Sequence, residues 1–385
     1  MTLADLVLSA NTGADAIKKA PIVEEDTGLR CLRIGDVSQK REYSEWGFTK
    51  TNEADYKRYK LEMNDLIIAR TGNTIGVNCI IENEINSVYN NGLIRIKADV
   101  SKVVPRYLWY LISSKDCQDF VQSIAYGTST QPNMKINDFL RYSFVYQDLD
   151  VQKKIVEVID PIDKKIKANT AINRNLSEQA RLLYKSWFVD FDNNDGVMPD
   201  DWHIGTVSEI IELHDSKRKP LSGNERDKLE KIYPYYGATS IMDYVDDYLF
   251  DGIYLLLGED GSVIDSEGYP ILQYVFGKFW CNNHAHIITG KNGFSVEMLY
   301  LLFSLTHVND IVTGAVQLKI SQQNLNKVEA VIPSLSVLRE FDELIQPMFG
   351  QIRKLRLENE SLTSLRDSLL PKLMSGELDV SELDI

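Results

Sequence analysis

The chain has few cysteines, and they are not spaced as a disulfide or zinc framework requires. Its 385 residues include four cysteines without a CxxC pair: Cys31, Cys79, Cys117 and Cys281. This usage favours a reduced interior. The amino terminus, MTLADLVLSANTG, lacks the basic segment and apolar run of a signal peptide, and no apolar run is long enough to cross a bilayer. We therefore expect a cytoplasmic protein without a membrane partner.

Motifs for enzyme chemistry are also missing. The chain has no Asn/Asp-Pro-Pro-Tyr motif of amino-methyltransferases and no P-loop, and the glycines of LGEDGS (257–262) lack the spacing of a nucleotide-binding loop. His284 and His286 fall on one face of a predicted strand, but further metal ligands at useful spacing are absent. The sequence therefore predicts a non-catalytic protein with no cofactor and no bound metal.

Positive charge is scarce. The formal net charge is −14, and residues 191–335 hold 10 Lys+Arg against 21 Asp+Glu. A protein that coats nucleic acid depends on excess positive charge along its surface. Any surface that binds nucleic acid must therefore be a local basic patch.

What the chain does have is a long helical stretch that occurs twice. Residues 151–188 recur 186 positions later as residues 337–374, and each copy carries a face with alternating four-three spacing, which we call the seam. The seam positions are Ile162, Ile166, Asn169, Asn173, Leu176, Ala180, Leu183 and Trp187 in the first copy, and Met348, Ile352, Leu355, Asn359, Leu362, Arg366, Leu369 and Leu373 in the second. Matched seams favour two antiparallel helices, each about 60 Å long, that pack on each other. The alternative is that each helix packs only on its own domain.

Polar residues and prolines interrupt both copies at matching positions. Asn173 and Asn359 are equivalent by the repeat, and a polar residue in a seam can fix the register of a coiled coil at some cost in stability. We expect these two side chains to lie within reach of each other near a pseudo-twofold axis. Pro161 and Pro347 remove helical hydrogen bonds, so matching kinks or breaks are expected there.

The regions that precede the two helices also resemble each other. GIYLLLGEDGSVI (252–264) resembles DLIIARTGNTIGV (65–77), and CNNHAHIITG (281–290) parallels YNNGLIRIKA (89–98). The sequence therefore predicts an α+β fold with a pseudo-twofold internal repeat: two mixed α/β domains joined by two long helices that form an antiparallel coiled coil. The predicted segments are a first domain at 1–149, a first helix at 150–190, a second domain at 191–335 with a linker at 191–202, a second helix at 336–376 and a tail at 377–385.

Five short motifs stand at the start of the second domain, inside it and at the ends of the two long helices. They are LLYKSWFVDF (182–191), MPDDW (198–202), KRKP (217–220), YPYYGAT (233–239) and SLLPKLMSGELDV (368–380). With the duplication, they make essentially the whole chain resemble the specificity subunit of type I restriction-modification systems, and the last motif is the most specific. The first domain departs from the pattern because it lacks a clear counterpart of KRKP.

The resemblance implies a DNA-binding role without catalysis. Each domain would be a target-recognition domain that reads one half of a bipartite double-stranded DNA sequence, and the coiled coil would set the spacing. Two methyltransferase subunits would dock on the outer helix faces and on the tail from Gly376, and restriction/translocase subunits would join them. The alternative is a non-catalytic two-domain scaffold for protein assembly that does not bind DNA, which the acidic composition supports.

Side-chain chemistry indicates candidate DNA contacts, because Lys, Arg and hydroxyl groups bind phosphates while Arg, Asn, Gln and Ser/Thr read base edges. In the first domain they are Arg70, Thr71, Asn73, Thr74, Tyr126, Thr128, Ser129, Thr130 and Lys135. In the second domain they are Lys217, Arg218, Lys219, Ser262 and Lys319, of which the first three are expected to contact phosphate. The alternative for each is an ordinary turn residue or a helix-end charge.

Overall fold

Two compact units make up the chain. The computed structural model describes residues 1–125, 132–314 and 317–380. The first unit comprises Met1–Ile166 and Ser361–Ile385, and the second comprises Lys167–Glu360. The border between the units falls inside each of two long helices, so each unit includes part of both.

The first unit mixes short strands and helices. Its strands are β1 (Val7–Thr12), β2 (Ile22–Val23), β3 (Arg30–Leu32), β4 (Phe48–Thr49), β5 (Leu66–Ala69), β6 (Asn78–Ile80), β7 (Ser87–Tyr89) and β8 (Leu93–Ala98). Its helices are α1 (Ile34–Ser38), α2 (Glu53–Tyr59), α3 (Pro105–Ser113), α4 (Lys115–Ala125), α5 (Ile136–Phe139) and the long α6 (Leu149–Phe188), which continues into the second unit.

Two four-stranded sheets form the first unit. One has the antiparallel order β1-β8-β5-β6, and the other has the order β2-β4-β3-β7 with β3 and β7 parallel. All four residues of β5 are buried, which is typical of a strand covered on both faces. Its Ile68 packs in a core with Tyr107 of α3 and Ile155 of α6, while Ile67 joins a second core on the other side of the sheet. The sheet therefore holds the residues that follow β5 in a fixed position.

The second unit is richer in strands. They are β9 (His203–Thr206), β10 (Ile211–Leu213), β11 (Tyr233–Tyr236), β12 (Ile241–Val245), β13 (Phe250–Gly258), β14 (Asp260–Gly261), β15 (Leu272–Cys281), β16 (Ala285–Gly290), β17 (Val312–Thr313), β18 (Leu318–Ile320) and β19 (Glu329–Ile332). The helices are α7 (Gly223–Arg226), α8 (Val296–Phe303), α9 (Gln322–Leu325) and the long α10 (Leu335–Ser375), which ends in the first unit.

A six-stranded sheet of order β10-β16-β13-β15-β11-β12 dominates the second unit, beside a three-stranded sheet β14-β18-β17 and the pair β19-β9. Leu255 of β13, Met298 of α8 and Phe341 of α10 are fully buried in one shared core. Burial of a side chain of this size contributes roughly 1.5–3 kcal/mol. Mixed helix and sheet content in both units agrees with the predicted fold class, whereas the predicted domain boundaries stay predictions.

Both long helices run through their prolines without a break. Helix α6 is continuous across Pro161, and α10 is continuous across Pro347. Ile345 and Phe349, on either side of Pro347, are both buried, and their packing offsets the cost of about 3 kcal/mol for a proline in a helix interior. Among the residues that the structure describes, the helices are each too short or too polar to span a bilayer.

Candidate nucleic-acid interface

A basic cleft in the first unit brings together two of the predicted DNA contacts. Arg70 and Lys135 line a cleft of about 460 Å³. Its other lining residues are Thr12, Ile136, Asn137, Asp138 and Arg141. Three basic side chains and one acidic side chain therefore face the same space. Thr12, Asn137 and Arg141 were not predicted, because their placement depends on which strand ends and loops meet.

Backbone contacts between distant segments build this cleft. Arg70 directly follows the buried strand β5, and its carbonyl accepts a hydrogen bond from Met134 N at 2.8 Å. Met134 is fully buried, which anchors the segment that carries the exposed Lys135. The Arg70 side chain donates from Nη2 to Asn133 Oδ1 at 3.0 Å, so its guanidinium is oriented before any ligand binds.

The remaining predictions in the first unit fall beside the cleft or outside the described residues. Thr71 forms an isolated β-bridge with Asn133, and Gly72 has a positive φ of 82°, which allows the tight turn that follows. Asn73 on this turn is exposed and Thr74 is half-buried. Tyr126, Thr128, Ser129 and Thr130 lie outside the described residues.

In the second unit, Arg218 is already paired. Its Nη1 lies 2.6 Å from Glu259 Oε2 and donates to the carbonyl oxygen of Ala285 at 2.7 Å. The Arg218 side chain is only 12% exposed. The neighbouring Lys217 and Lys219 are exposed, so the three basic residues do not share one environment. Phosphate contact stays a prediction for them, and the geometry favours the two lysines.

Glu259 joins Arg218 to another predicted contact. Lys319 Nζ lies 3.2 Å from Glu259 Oε1, and Lys319 belongs to β18, which pairs with β14. Ser262 is exposed just after β14. The structure thus places Lys319 and Arg218 on the same carboxylate, although they are separated by about a hundred residues of sequence. Sequence reasoning missed Glu259, whose only signal was its position between two glycines.

A buried histidine completes this network. His286 Nδ1 lies 2.6 Å from Asp215 Oδ2, and its Nε2 lies 2.8 Å from the carbonyl oxygen of Ile320. Both ring nitrogens therefore lie within hydrogen-bond distance of an oxygen atom, and these two contacts hold the imidazole ring in one orientation. Asp215 also accepts from the backbone N of Ile287 at 2.9 Å and from the side-chain amide of Gln322.

The two carboxylates are adapted to these cationic neighbours. Burial tends to raise the pKa of Asp215, but the hydrogen bond from His286 and its positive charge bring that pKa below the usual value. Burial likewise tends to raise the pKa of Glu259, and the hydrogen bond from Arg218 and the charge of His286 lower it overall. Potential ligand atoms of Asp215, Glu259 and His286 lie within 4.8 Å of one another, yet their lone pairs face Arg218, Lys319 and Gln322. This donor set fits a buried ion network and not a cation site.

The seam asparagines form a polar contact in the second unit. Asn169 Nδ2 donates to Asn359 Oδ1 at 2.9 Å, and Asn359 Nδ2 donates to Thr170 Oγ1 at 3.2 Å. Asn169 lies one helical turn before Asn173 and is fully buried. The side-chain oxygen of Asn173 is buried without a hydrogen-bond partner among the described residues. The partner of Asn359 in this contact is therefore Asn169, while the register role of Asn173 and Asn359 stays a prediction.

Two mixed α/β units that share a pair of long helices define a duplicated, two-domain protein. The family model described as "Type I restriction modification DNA specificity domain" matches residues 1–178 and again residues 199–360. The chain belongs to this family. It is accordingly a type I restriction-modification DNA specificity subunit, which is a DNA-recognition subunit that is not itself catalytic. The family match does not favour the alternative of a protein-assembly scaffold that does not bind DNA.

Known relatives agree with this assignment. The chain is 23% identical to the type I restriction enzyme HindI specificity subunit of Haemophilus influenzae, over 80% of this chain and 85% of the relative. It is 25% identical to the MjaIX specificity subunit of Methanocaldococcus jannaschii, over 73% of this chain and 71% of the relative. The fold is similar to that of the crystal structure of a type I restriction-modification S subunit from M. genitalium, with a TM-score of 0.56, 16% identity and coverage of 99% of this chain and 96% of that chain.

Proposed function

We propose that each recognition domain reads one half of a bipartite DNA sequence, and that the two long helices form an antiparallel coiled coil that sets the distance between the halves. Two methyltransferase subunits dock on this subunit, and restriction/translocase subunits join the complex. The observation that carries the proposal is the double family match, one in each half of the chain. Two similar domains on one rigid spacer turn DNA sequence spacing into a geometric constraint, as half-site spacing does for dimeric repressors.

Contacts between the long helices support the coiled coil. In the second unit, Asn169 contacts Asn359, and further along α6 the ring of Phe188 lies 4.8 Å from that of Phe341. Residue numbers thus rise along α6 while those of the contacts in α10 fall, which is the pattern of antiparallel helices. Within the first unit, Asp163 pairs with Arg366 at 2.9 Å, and Gln147, which precedes α6, donates to the Met374 carbonyl at 3.4 Å.

Candidate surfaces for the methyltransferase subunits lie on the outer faces of these helices. In the second unit, the exposed large apolar side chains on α6 and α10 are Ile172, Leu182, Leu335, Leu344 and Leu357. The described part of the tail is less available, because Val380 is buried in the core of the first unit together with Leu373 and Met374. We therefore propose that the methyltransferase subunits dock mainly on the outer faces of the two helices and less on the tail.

Methylome mapping tests the proposed function. In a host that carries this gene with its methyltransferase partner, we expect adenine methylation at a bipartite motif, and deletion of the gene should remove methylation from both halves together. Re-expression of the full chain should restore the same motif. Methylation that persists unchanged after deletion would contradict the proposal and favour the scaffold that does not bind DNA.

A further inference from the structure

The basic cleft contains a cation that is poorly neutralised. The side chain of Arg141 is 78% exposed, and its ion pair with Asp138 measures 3.5 Å. An exposed pair of this kind contributes roughly 0–1 kcal/mol, so a stronger anionic ligand can displace it. Arg70, in contrast, is oriented by Asn133. The cleft thus combines one pre-oriented guanidinium with one that is available to an incoming anion.

Neutral donors complete the cleft. The side chains of Thr12 and Asn137 line it together with Lys135 and the two arginines. Hydroxyl and amide groups beside Arg and Lys are the usual partners of DNA phosphate oxygens. Lys135, Asn137 and Arg141 are all exposed, so a duplex can reach them without any opening of the core.

The internal repeat favours a phosphate over a base as the ligand of Arg141. With the offset of 186 residues, α5 (Ile136–Phe139) aligns with α9 (Gln322–Leu325), and Arg141 aligns with Lys327. Lys327 is exposed, and no carboxylate pairs with its ammonium group within the part of the chain that the structure describes. Residues that read bases should differ between two domains with different targets. A positive charge that recurs at equivalent exposed positions instead suits the phosphate backbone, which is the same in both halves.

We propose that the cleft of Thr12, Arg70, Lys135, Asn137 and Arg141 binds a backbone phosphate of DNA, and that Lys327 makes the equivalent phosphate contact in the second domain. This inference rests on the proposed function and adds to it specific contacts that carry affinity but no sequence information. Because a phosphate contact releases condensed counterions, it has a signature in salt dependence: each one contributes about 0.9 to the slope of log K against log salt concentration.

The experiment measures DNA binding of the full chain, co-purified with its methyltransferase subunits, over a salt series. The probes are a duplex with the methylated motif and a duplex with both half-sites scrambled. Arg141→Gln should lower the slope by about 0.9 and weaken binding to both duplexes by a similar factor. Arg141→Gln combined with Lys327→Gln should lower the slope by about 1.8, and Arg141→Lys should retain most of it.

A matched control separates the cleft from general charge effects. Lys57 lies on α2 of the same unit, and its side chain is 72% exposed. Lys57→Gln removes the same charge and should leave the slope unchanged. The inference would be overturned if both Arg141→Gln and Lys327→Gln left the slope of log K against log salt concentration unchanged. It would also be overturned if either variant lost its preference for the methylated motif at constant slope, because that result would indicate a contact with a base. If the unsubstituted complex did not bind either duplex, the proposed function would fail as well, so the two failures are distinguishable.

Discussion

Basic residues that are adjacent in the sequence have different surroundings in this protein. Arg218 is held between Glu259 and the Ala285 carbonyl, whereas Lys217 and Lys219 project from the same short segment into solvent. The sequence predicted the basic cluster but not this division. Burial of the Arg218 guanidinium depends on Glu259, which is 41 residues away and arrives only with the folded sheet.

The two exposed lysines give the first prediction. Lys217→Gln combined with Lys219→Gln, with Arg218 intact, should weaken DNA binding and reduce the salt slope by up to about 1.8, because two phosphate contacts are lost. The measurement is a salt titration of duplex binding by the full complex. Lys291 is exposed and directly follows β16, at the opposite end of this strand from Ala285. Lys291→Gln therefore serves as the control and should change neither the affinity for DNA nor the salt slope. Equal effects of the two variants would contradict the assignment.

Asp215 gives the second prediction, which concerns stability. Its folded pKa is below the usual value, so the carboxylate stabilises the fold above the unfolded pKa near 4. That contribution is lost as pH falls through the lowered folded pKa. Asp215→Asn breaks a buried ion network and should cost about 3–5 kcal/mol at pH 7.

Urea denaturation at pH 7 and pH 3 measures this effect. The difference in unfolding free energy between the unsubstituted chain and Asp215→Asn should be smaller at pH 3 than at pH 7. Asp200 is exposed, so Asp200→Asn should have little effect at either pH. A difference for Asp215→Asn that stayed constant with pH would show that its charge is not what stabilises the unit.

The two long helices were the elements that the sequence predicted best. The contacts between their side chains were predicted least well. Heptad spacing indicated both helices and the side of each that faces inward. The repeat also suggested Asn173 as the partner of Asn359, but the hydrogen bond forms with Asn169. In the antiparallel pair that we propose, equivalent residues would meet only where the pseudo-twofold axis crosses the helices, and the position of that crossing depends on packing.

The third prediction uses the Asn169–Asn359 contact. Asn169→Leu alone should cost about 1–3 kcal/mol, because it removes the hydrogen bond of the fully buried Asn169 and leaves the half-buried side chain of Asn359 without this partner. The double variant Asn169→Leu with Asn359→Leu should lose less unfolding free energy than the sum of the two single variants. In the double variant, an apolar contact between two leucines replaces the hydrogen-bonded pair, and neither asparagine is left without its partner. Unfolding free energies from urea denaturation test the cycle, with the exposed Asn175→Leu as control. Strict additivity would show that the two asparagines do not stabilise each other.

The whole molecule is a duplication, with one match to the DNA specificity domain in each half of the chain. Its acidic composition is compatible with a local basic surface, because Arg70, Lys135 and Arg141 of the first unit line one cleft. We propose that each domain reads its own half-site, so a substitution in one domain should change one half-site only.

The fourth prediction tests this independence. Asn73 is exposed on the turn after Arg70, and an Asn that reads adenine with two hydrogen bonds contributes roughly 1–3 kcal/mol of discrimination. Asn73→Ala should therefore relax the methylated motif at one position in one half, while the other half and the spacer stay unchanged. Methylome sequencing gives the result directly. Asn83→Ala, at another exposed position of the first unit, is the control, and relaxation in both halves would contradict independent reading.

The sequence alone determined the duplication, the two long helices and the family of the protein. These properties depend on periodicity and self-similarity along the chain, which need no knowledge of distant contacts. Only the tertiary structure decided that Arg141 joins Arg70 and Lys135 at one cleft, and that Asp215 and Glu259 meet at His286. Such groups are brought together by the packing of strands and loops, and charges that are far apart in sequence interact strongly only when folding removes the water between them.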